Sequence, residues 1–249
     1  MGKLSGKVAV ITGGNSGIGL SSAQLFKAEG ATVVINARNE KRLAETREQL
    51  GDAFDIVQLD VSKVSEIDQV FQQIGGKHGK IDVLFLNAGV APFIPLEAYD
   101  ENTYDHLFNV NVKGVFFSVQ KALPYLSEGA SVIITTSVVN QMGMPASSAY
   151  AATKAAVRSL AQSLSAELLP RGIRVNALSP GPIETPIFGK MGMNDEQIQE
   201  MAGGILQQVP MGRFGSSDEV AKAALFFASD DSSYVVGAEL EVDGGMATL

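Results

Sequence analysis

Short apolar runs recur along this chain, separated by longer stretches of amphipathic spacing. The runs are Val8–Ile11, Thr32–Ile35, Ile56–Leu59, Val83–Leu86, Val132–Thr135, Arg174–Leu178 and Glu239–Val242. The first five are nearly continuous in Val, Ile and Leu, as expected of strands covered on both faces. Between the runs, apolar residues repeat with helical spacing over Ile18–Glu29, Glu40–Leu50, Glu66–Ile74, Asn102–Leu126, Tyr150–Leu169 and Ser217–Ala228. Regular alternation of strand and helix predicts an α/β fold with one doubly wound parallel sheet of about seven strands, helices on both faces. No repeat or linker interrupts it, so residues 1–249 read as one domain. One segment breaks the rhythm. Residues 186–210 have no strand character and hold one short helical pattern, Asp195–Leu206, with Asn194 as its cap. Following a strand's carboxyl end, this insert is expected to act as a substrate loop.

Composition narrows the function. Of 249 residues 45% are hydrophobic, enough for a full core in a single α/β domain. Asp and Glu (27) outnumber Lys and Arg (19), giving a net charge of −8, which opposes binding to nucleic acid or anionic membrane. The absence of cysteine removes thiolate chemistry, and two histidines, His78 and His106, make a metal site unexpected. Both histidines read as solvated surface. The apolar run after the amino terminus is too short for a signal peptide, and none reaches the roughly 18 residues of a membrane span. A cytoplasmic protein is the expectation.

After the first strand comes Thr12-Gly13-Gly14-Asn15-Ser16-Gly17-Ile18-Gly19, which opens a helix. Glycines let backbone approach a pyrophosphate, and a helix N-terminus offers free N–H groups to it. The spacing is Gly-x-x-x-Gly-x-Gly. The second strand runs out at Asn36-Ala37-Arg38-Asn39. An acid there would select NAD; Arg38 suits the 2′-phosphate of NADP, with Asn15 and Ser16 as further donors. NADP(H) is therefore expected over NAD(H).

Tyr150 and Lys154 stand four apart at the start of a predicted helix, on one face. A phenol with an ordinary pKa of about 10 is pulled down by a neighbouring ammonium. It could then exchange a proton with a carbonyl or alcohol oxygen near neutral pH. Ser137, at the end of the fifth strand, could hold that oxygen.

The glycine loop, Asn87-Ala88-Gly89 after the fourth strand, Ser137, Tyr150-x-x-x-Lys154 and Pro180-Gly181 occur in order along the whole chain. Together they resemble the short-chain dehydrogenase/reductase family, in its branch of single-domain enzymes of about 250 residues. The resemblance implies a Rossmann fold and hydride transfer between a nicotinamide and a carbonyl or alcohol carbon. It makes Tyr150 the general acid/base and Ser137 the residue that orients the substrate oxygen. Lys154 would bind the nicotinamide ribose and lower the tyrosine pKa, and Asn111 would hold a relay water. It assigns Asp60 and Val61 to the adenine pocket and Asn87, Ala88 and Gly89 to the cofactor border. Pro180, Gly181, Ile183 and Thr185 would hold the carboxamide. Most similar enzymes are homotetramers, and the apolar end Tyr234–Leu249 fits such an interface.

Substrate contacts are expected from Ser137, Val139, Met144, Tyr150, Ile187 and Phe188. With little fixed positive charge among them, a neutral, apolar ketone is expected. A 3-oxoacyl-carrier-protein reductase and a sugar or polyol dehydrogenase remain open. For the first, Arg171 sits where a basic contact to the acidic carrier is expected, but the turn Ser127-Glu128-Gly129-Ala130 has no basic residue. A non-catalytic NADP-binding regulator is the alternative from another class; it would not need the tyrosine.

Overall fold

The computed structural model describes residues 2–185 and 203–249. Seven parallel strands form the sheet: β1 (Val8–Thr12), β2 (Thr32–Ala37), β3 (Asp55–Gln58), β4 (Ile81–Leu86), β5 (Leu126–Thr135), β6 (Arg174–Pro180) and β9 (Glu239–Val242). Their order is β3-β2-β1-β4-β5-β6-β9. Sequence order reverses between β1 and β4, which opens a crevice at the strands' carboxyl ends, where such sheets bind ligands. Two short strands outside the sheet, β7 (Ile183–Glu184) and β8 (Gly215–Ser216), pair in parallel.

Helices α1 (Gly17–Ala28) and α7 (Ser217–Ala228) cover one face; α3 (Val64–His78), α5 (Gly114–Ala122) and α6 (Ser148–Leu168) cover the other. The central strand β4 shows why both faces need cover. Leu84 and Leu86 join the core under α3, α5 and α6, whereas Val83 and Phe85 join Phe26 and Phe227 beneath α1 and α7. Side chains alternate with period two, so an apolar run buries on both sides. Each fully buried residue of this size contributes roughly 1.5–3 kcal/mol of transfer free energy. The remaining helices are α2 (Glu40–Leu50) and α4 (Glu101–Phe108).

The structure corrects the sequence reading in three places. The single helix expected over Asn102–Leu126 is broken into α4, a wide π turn over Asn109–Lys113, and α5. A Cβ on Gly114 would lie 2.5 Å from the Val61 carbonyl oxygen, so this glycine lets the helix press against the end of β3. The helix then stops ahead of Pro124, which cannot continue it. Ser127–Ala130 is not a turn before the fifth strand but an irregularity inside β5: pairing jumps from Ile81↔Leu126 to Val83↔Ser131. Ser127 Oγ donates to Asp82 Oδ1 at 2.7 Å and holds that excursion to β4. His78 is not a solvated side chain; its Nε2 lies 2.8 Å from Asp55 Oδ2, and only 12% of the side chain is exposed. The expected Asp195–Leu206 helix and its cap Asn194 fall largely outside the described residues; residues 203–206 are helical. No helix among the described residues is long and apolar enough to cross a membrane.

Candidate active site

The glycine loop leaves β1 at the switch point. Gly13 has φ of +68°, a conformation that side-chain-bearing residues avoid. A Cβ on Gly19 would meet the Gly13 carbonyl oxygen at 2.2 Å, so the first turn of α1 packs directly on the loop. The Ser16 residue caps α1 with extended backbone, but its hydroxyl makes no capping bond. The N-terminal N–H groups of α1 and this hydroxyl are suited to an anionic ligand. Asn15 and Gly17 lie in the same loop, whereas the Ile18 side chain packs against the core.

Neighbouring side chains hold the loop. Asn87 Nδ2 donates to the Thr12 and Gly13 carbonyl oxygens, each at 3.3 Å. Thr12 Oγ1 accepts from the Asn87 and Ala88 amides, each at 3.1 Å. Buried Asn36, which the sequence reading passed over, is as central. Its Oδ1 accepts from the Gly13 amide at 2.7 Å, and its Nδ2 donates to the Leu59 carbonyl at 2.9 Å. The available signal was a lone amide at the end of an apolar strand.

Arg38 is exposed just beyond β2. Asp60 lies close enough to feel its charge. Burial raises the Asp60 carboxyl's pKa, but bonds from Ser62 and the charges of Lys63 and Arg38 outweigh it and hold the group below its ordinary value. Asn39 Oδ1 is committed to capping α2, accepting from the Arg42 amide at 3.0 Å. Asn39 is also expected among the cofactor residues; its Oδ1 serves the helix, which leaves Nδ2 for that role. Val61 is 9% exposed and packs into the core, so only its backbone borders the crevice.

At the other end of the crevice, Ser137, Tyr150 and Lys154 converge. Ser137 follows the carboxyl end of β5 and caps a short 3₁₀ turn, Val138–Asn140. Its hydroxyl lies beside the Tyr150 phenol and favours the phenol's ionised form. Lys154 Nζ donates to the Thr135 carbonyl at 2.9 Å and lies 5.8 Å from the Tyr150 ring centroid. Burial pushes the Tyr150 phenol up to about 12, with the Ser137 hydroxyl pulling the other way, and it pushes Lys154 down to about 8. The expected lowering of the tyrosine by the lysine is therefore not what this site displays. Desolvation opposes the charged form of both groups and moves their pKa values in opposite directions.

Asn111, within the π turn, uses its carboxamide on the loop after β4. Its Nδ2 donates to the Val90 carbonyl at 2.8 Å and to Thr153 Oγ1 at 3.2 Å, and its Oδ1 accepts from the Val90 amide at 2.9 Å. π turns of this kind recur at functional sites. A Cβ on Gly89 would lie 3.3 Å from Asn111 Oδ1 and 3.7 Å from Lys154 Nζ, so that glycine keeps the space between them open. The Phe93 ring stands 5.8 Å from the Tyr150 ring. Ile94 donates its amide to the Ala146 carbonyl at 2.8 Å, and Ala146 is the one non-glycine among the described residues with positive φ, at 60°. Backbone strain of this kind concentrates where geometry is over-determined.

Beyond β6, the Gly181 amide donates to the Val242 carbonyl at 3.1 Å, and Pro180 pairs with Val242. The Ile183 side chain is buried in the core, so only its backbone can face the crevice. Thr185 follows β7 and is half-buried. Val139 is 5% exposed, which corrects its reading as an open substrate contact: its side chain is buried in the 3₁₀ turn. Met144 is half-buried and packs with Met142 and Ala247 against Val138, Val209 and Met246, an apolar wall beside the site. Ile187 and Phe188 lie outside the described residues.

A family profile described as enoyl-(acyl carrier protein) reductase matches residues 13–247. A solved structure described as a short chain dehydrogenase/reductase family protein superposes with a TM-score of 0.85 and 34% identity, covering 99% of this chain and 100% of its own. The chain belongs to the short-chain dehydrogenase/reductase family. Among curated members, a 3-oxoacyl-[acyl-carrier-protein] reductase, FabG, of Thermotoga maritima is 41% identical over 249 residues, covering 98% of this chain and 99% of its own. A galactitol 2-dehydrogenase of Agrobacterium fabrum is 33% identical over 251 residues, covering 98% of each. The ligand-free aldohexose dehydrogenase of Thermoplasma acidophilum superposes with a TM-score of 0.89 and 28% identity, covering 99% of this chain and 96% of its own. As a short-chain dehydrogenase/reductase, the chain is an oxidoreductase acting between CH–OH and C=O with a nicotinamide cofactor and a small-molecule substrate.

Proposed function

We propose that this chain is an NADP(H)-dependent reductase of a neutral, apolar ketone, working as one domain over residues 1–249. The observation that carries the reading is the convergence of Ser137, Tyr150 and Lys154 at one end of a crevice whose other end is a glycine loop. Residues 13–19 and the α1 N-terminus would hold the pyrophosphate, Arg38 the 2′-phosphate, and Asp60 and Val61 the adenine. Asn87, Ala88, Gly89, Lys154, Pro180, Gly181, Ile183 and Thr185 would line the nicotinamide half. The bound nicotinamide supplies the hydride. Tyr150, protonated throughout the neutral range, gives its proton to the developing alkoxide. Ser137 donates a hydrogen bond to the same oxygen, and Lys154 with Asn111 restores the proton to Tyr150. Phe93, Met142 and Met144 favour an apolar substrate body.

A 3-oxoacyl-carrier-protein reductase is the second reading, favoured by the 41% identity to FabG. Against it, Arg171 spends one guanidinium nitrogen on the Leu123 carbonyl at 2.9 Å, and Glu128 approaches the adjoining Gly172. That surface offers an acidic carrier a carboxylate beside its one arginine. Homotetramer formation is part of the proposal. The edge strand β9 and the tail expose Val236, Leu240 and Leu249, and Tyr234 is fully exposed.

The experiment follows absorbance at 340 nm with NADPH or NADH against simple ketones, β-keto esters and an acetoacetyl thioester. Turnover with NADPH that disappears in Tyr150→Phe is the expected result. NADPH binding without turnover on any carbonyl or alcohol would overturn the reductase reading in favour of a regulator. Strong preference for the thioester would move the assignment to the carrier-protein reaction.

A further inference from the structure

Glu239 opens β9, opposite Ala177 of β6. Its side chain is only 7% exposed. A carboxylate so placed needs donors, since it has only acceptor sites to offer. Four arrive, none of them from β9 or β6. Thr136 Oγ1 and Asn140 Nδ2 donate to Oε1 at 2.6 and 2.7 Å. Arg158 Nε and Gln141 Nε2 donate to Oε2 at 2.5 and 3.1 Å. The positions of these donors give the cluster its meaning. Thr136 immediately precedes Ser137. Asn140 and Gln141 close the turn that Ser137 opens. Arg158 lies one helical turn along α6 from Lys154.

Besides Glu239, the turn is held by Gln141 Nε2 donating to Glu241 Oε1 at 2.9 Å, by the Thr136 amide donating to the Leu178 carbonyl at 2.8 Å, and by burial of Val138 and Val139. Its internal bonds are Asn140 N to Ser137 O and Gln141 N to Val138 O, each at 3.0 Å, with a 3.5 Å contact from the Val139 amide to Ser137 Oγ. Asn140 moreover leaves its own Oδ1 buried without a partner while its Nδ2 serves Glu239. An orphaned amide oxygen costs free energy, so the orientation of Asn140 is imposed by the carboxylate.

We propose that Glu239 is a positioning residue, whose carboxylate clamps the Ser137–Gln141 turn to α6 and so sets the Ser137 hydroxyl against the Tyr150 phenol. It touches neither cofactor nor substrate and acts through Ser137; this role rests on the reductase reading given above. A glutamine is a poorer partner: it removes the charge that Arg158 pairs with, and its NH₂ group would face the Asn140 NH₂ in the orientation that Asn140 now holds.

The test pairs kinetics with hydrogen exchange on the full chain. In Glu239→Gln, amides of residues 136–141 should exchange at least about tenfold faster. The kcat for ketone reduction should fall about tenfold or more, as a small misplacement of a reacting group does. The KM for NADPH should stay where it was, because the glycine loop lies at the other end of the crevice. Unchanged exchange at 136–141 overturns the proposal, whatever happens to activity, and so does an unchanged kcat. If Glu239→Gln does not fold, the reciprocal double variant Asn140→Asp/Glu239→Gln decides. It restores an amide-to-carboxylate bond with reversed polarity, so recovery of protection and kcat supports the clamp, and failure to recover either overturns it. A wild-type protein that reduces no carbonyl would sink the reductase reading alone, since exchange in the 136–141 segment still reports whether the clamp exists.

Discussion

Lys154 Nζ donates to the backbone carbonyl of Thr135 at 2.9 Å, tying the last residue of the Tyr150-x-x-x-Lys154 motif to the strand end that leads into Ser137. The tie anchors α6 to β5 where the reacting groups meet. It also keeps an amine in a buried place, with consequences for titration.

Lys154 is pushed down to about 8 and Tyr150 up to about 12, both chiefly by burial. Between about 8 and the ordinary lysine value, the unfolded chain binds the Lys154 proton more tightly than the folded one, so stability should rise with pH there. Above about 10 the raised tyrosine reverses the sign, because the folded state then keeps a proton the unfolded state has lost. Urea denaturation from pH 7.5 to 10 should show the rise, and Lys154→Met should flatten it. An equal slope in the variant would mean that other groups set it.

Asn36 should govern cofactor affinity without touching the chemistry. Asn36→Ala frees the Gly13 amide and the Leu59 carbonyl, each loss costing about 1–3 kcal/mol where the group stays buried. The KM for NADPH should rise at least about tenfold with kcat nearly unchanged. Steady-state kinetics with saturating ketone reads both values.

Arg38 should carry the choice between cofactors. A charge-assisted bond to phosphate contributes about 1.5–3 kcal/mol, so Arg38→Ala should lower kcat/KM for NADPH by about tenfold or more and leave NADH nearly untouched. The same variant removes one of the charges that hold Asp60 below its ordinary value, so the Asp60 pKa should rise. Carboxyl NMR titration of wild type and variant would show that second effect.

Arg174 should matter for stability alone. From the first position of β6 it donates to Ser232 Oγ at 2.8 Å and to the Phe227 and Ser229 carbonyls at 3.2 and 3.3 Å, closing the end of α7. In Arg174→Met the two carbonyls lose a charged donor but keep others, Ser131 and Ser232 at Phe227 and Ser232 at Ser229, so the whole loss costs about 1–3 kcal/mol. For a chain of this length the melting temperature should fall by about 2–12 °C, with the cofactor KM unchanged. Calorimetry on the two proteins measures the difference.

How much of this was legible beforehand differs by element. The strands could be read directly, because a parallel strand buried on both faces must be apolar along its length, and β9 began and ended where the pattern placed it. The glycine loop and the Tyr150–Lys154 spacing were equally plain, since local backbone geometry and helical periodicity are properties of neighbouring residues. The break in the middle helix was not; where α5 begins, Gly114 packs against the Val61 carbonyl, a contact between residues far apart in the chain. Nor was the environment of His78, which depends on Asp55, 23 positions earlier.

The sequence by itself determined the alternation of elements and the parallel sheet, and it singled out the candidate residues, because each of these readings depends on patterns within a strand, a turn or one helix face. Only the tertiary structure decided what surrounds those residues. It brought Asn36 to the glycine loop, buried Tyr150 and Lys154 deeply enough to move both their pKa values, and carried Glu239 from the far edge of the sheet to the Ser137 turn, 99 positions away from Asn140 in the chain. Burial and long-range hydrogen bonds are set by how elements pack, and no short pattern along the chain records that.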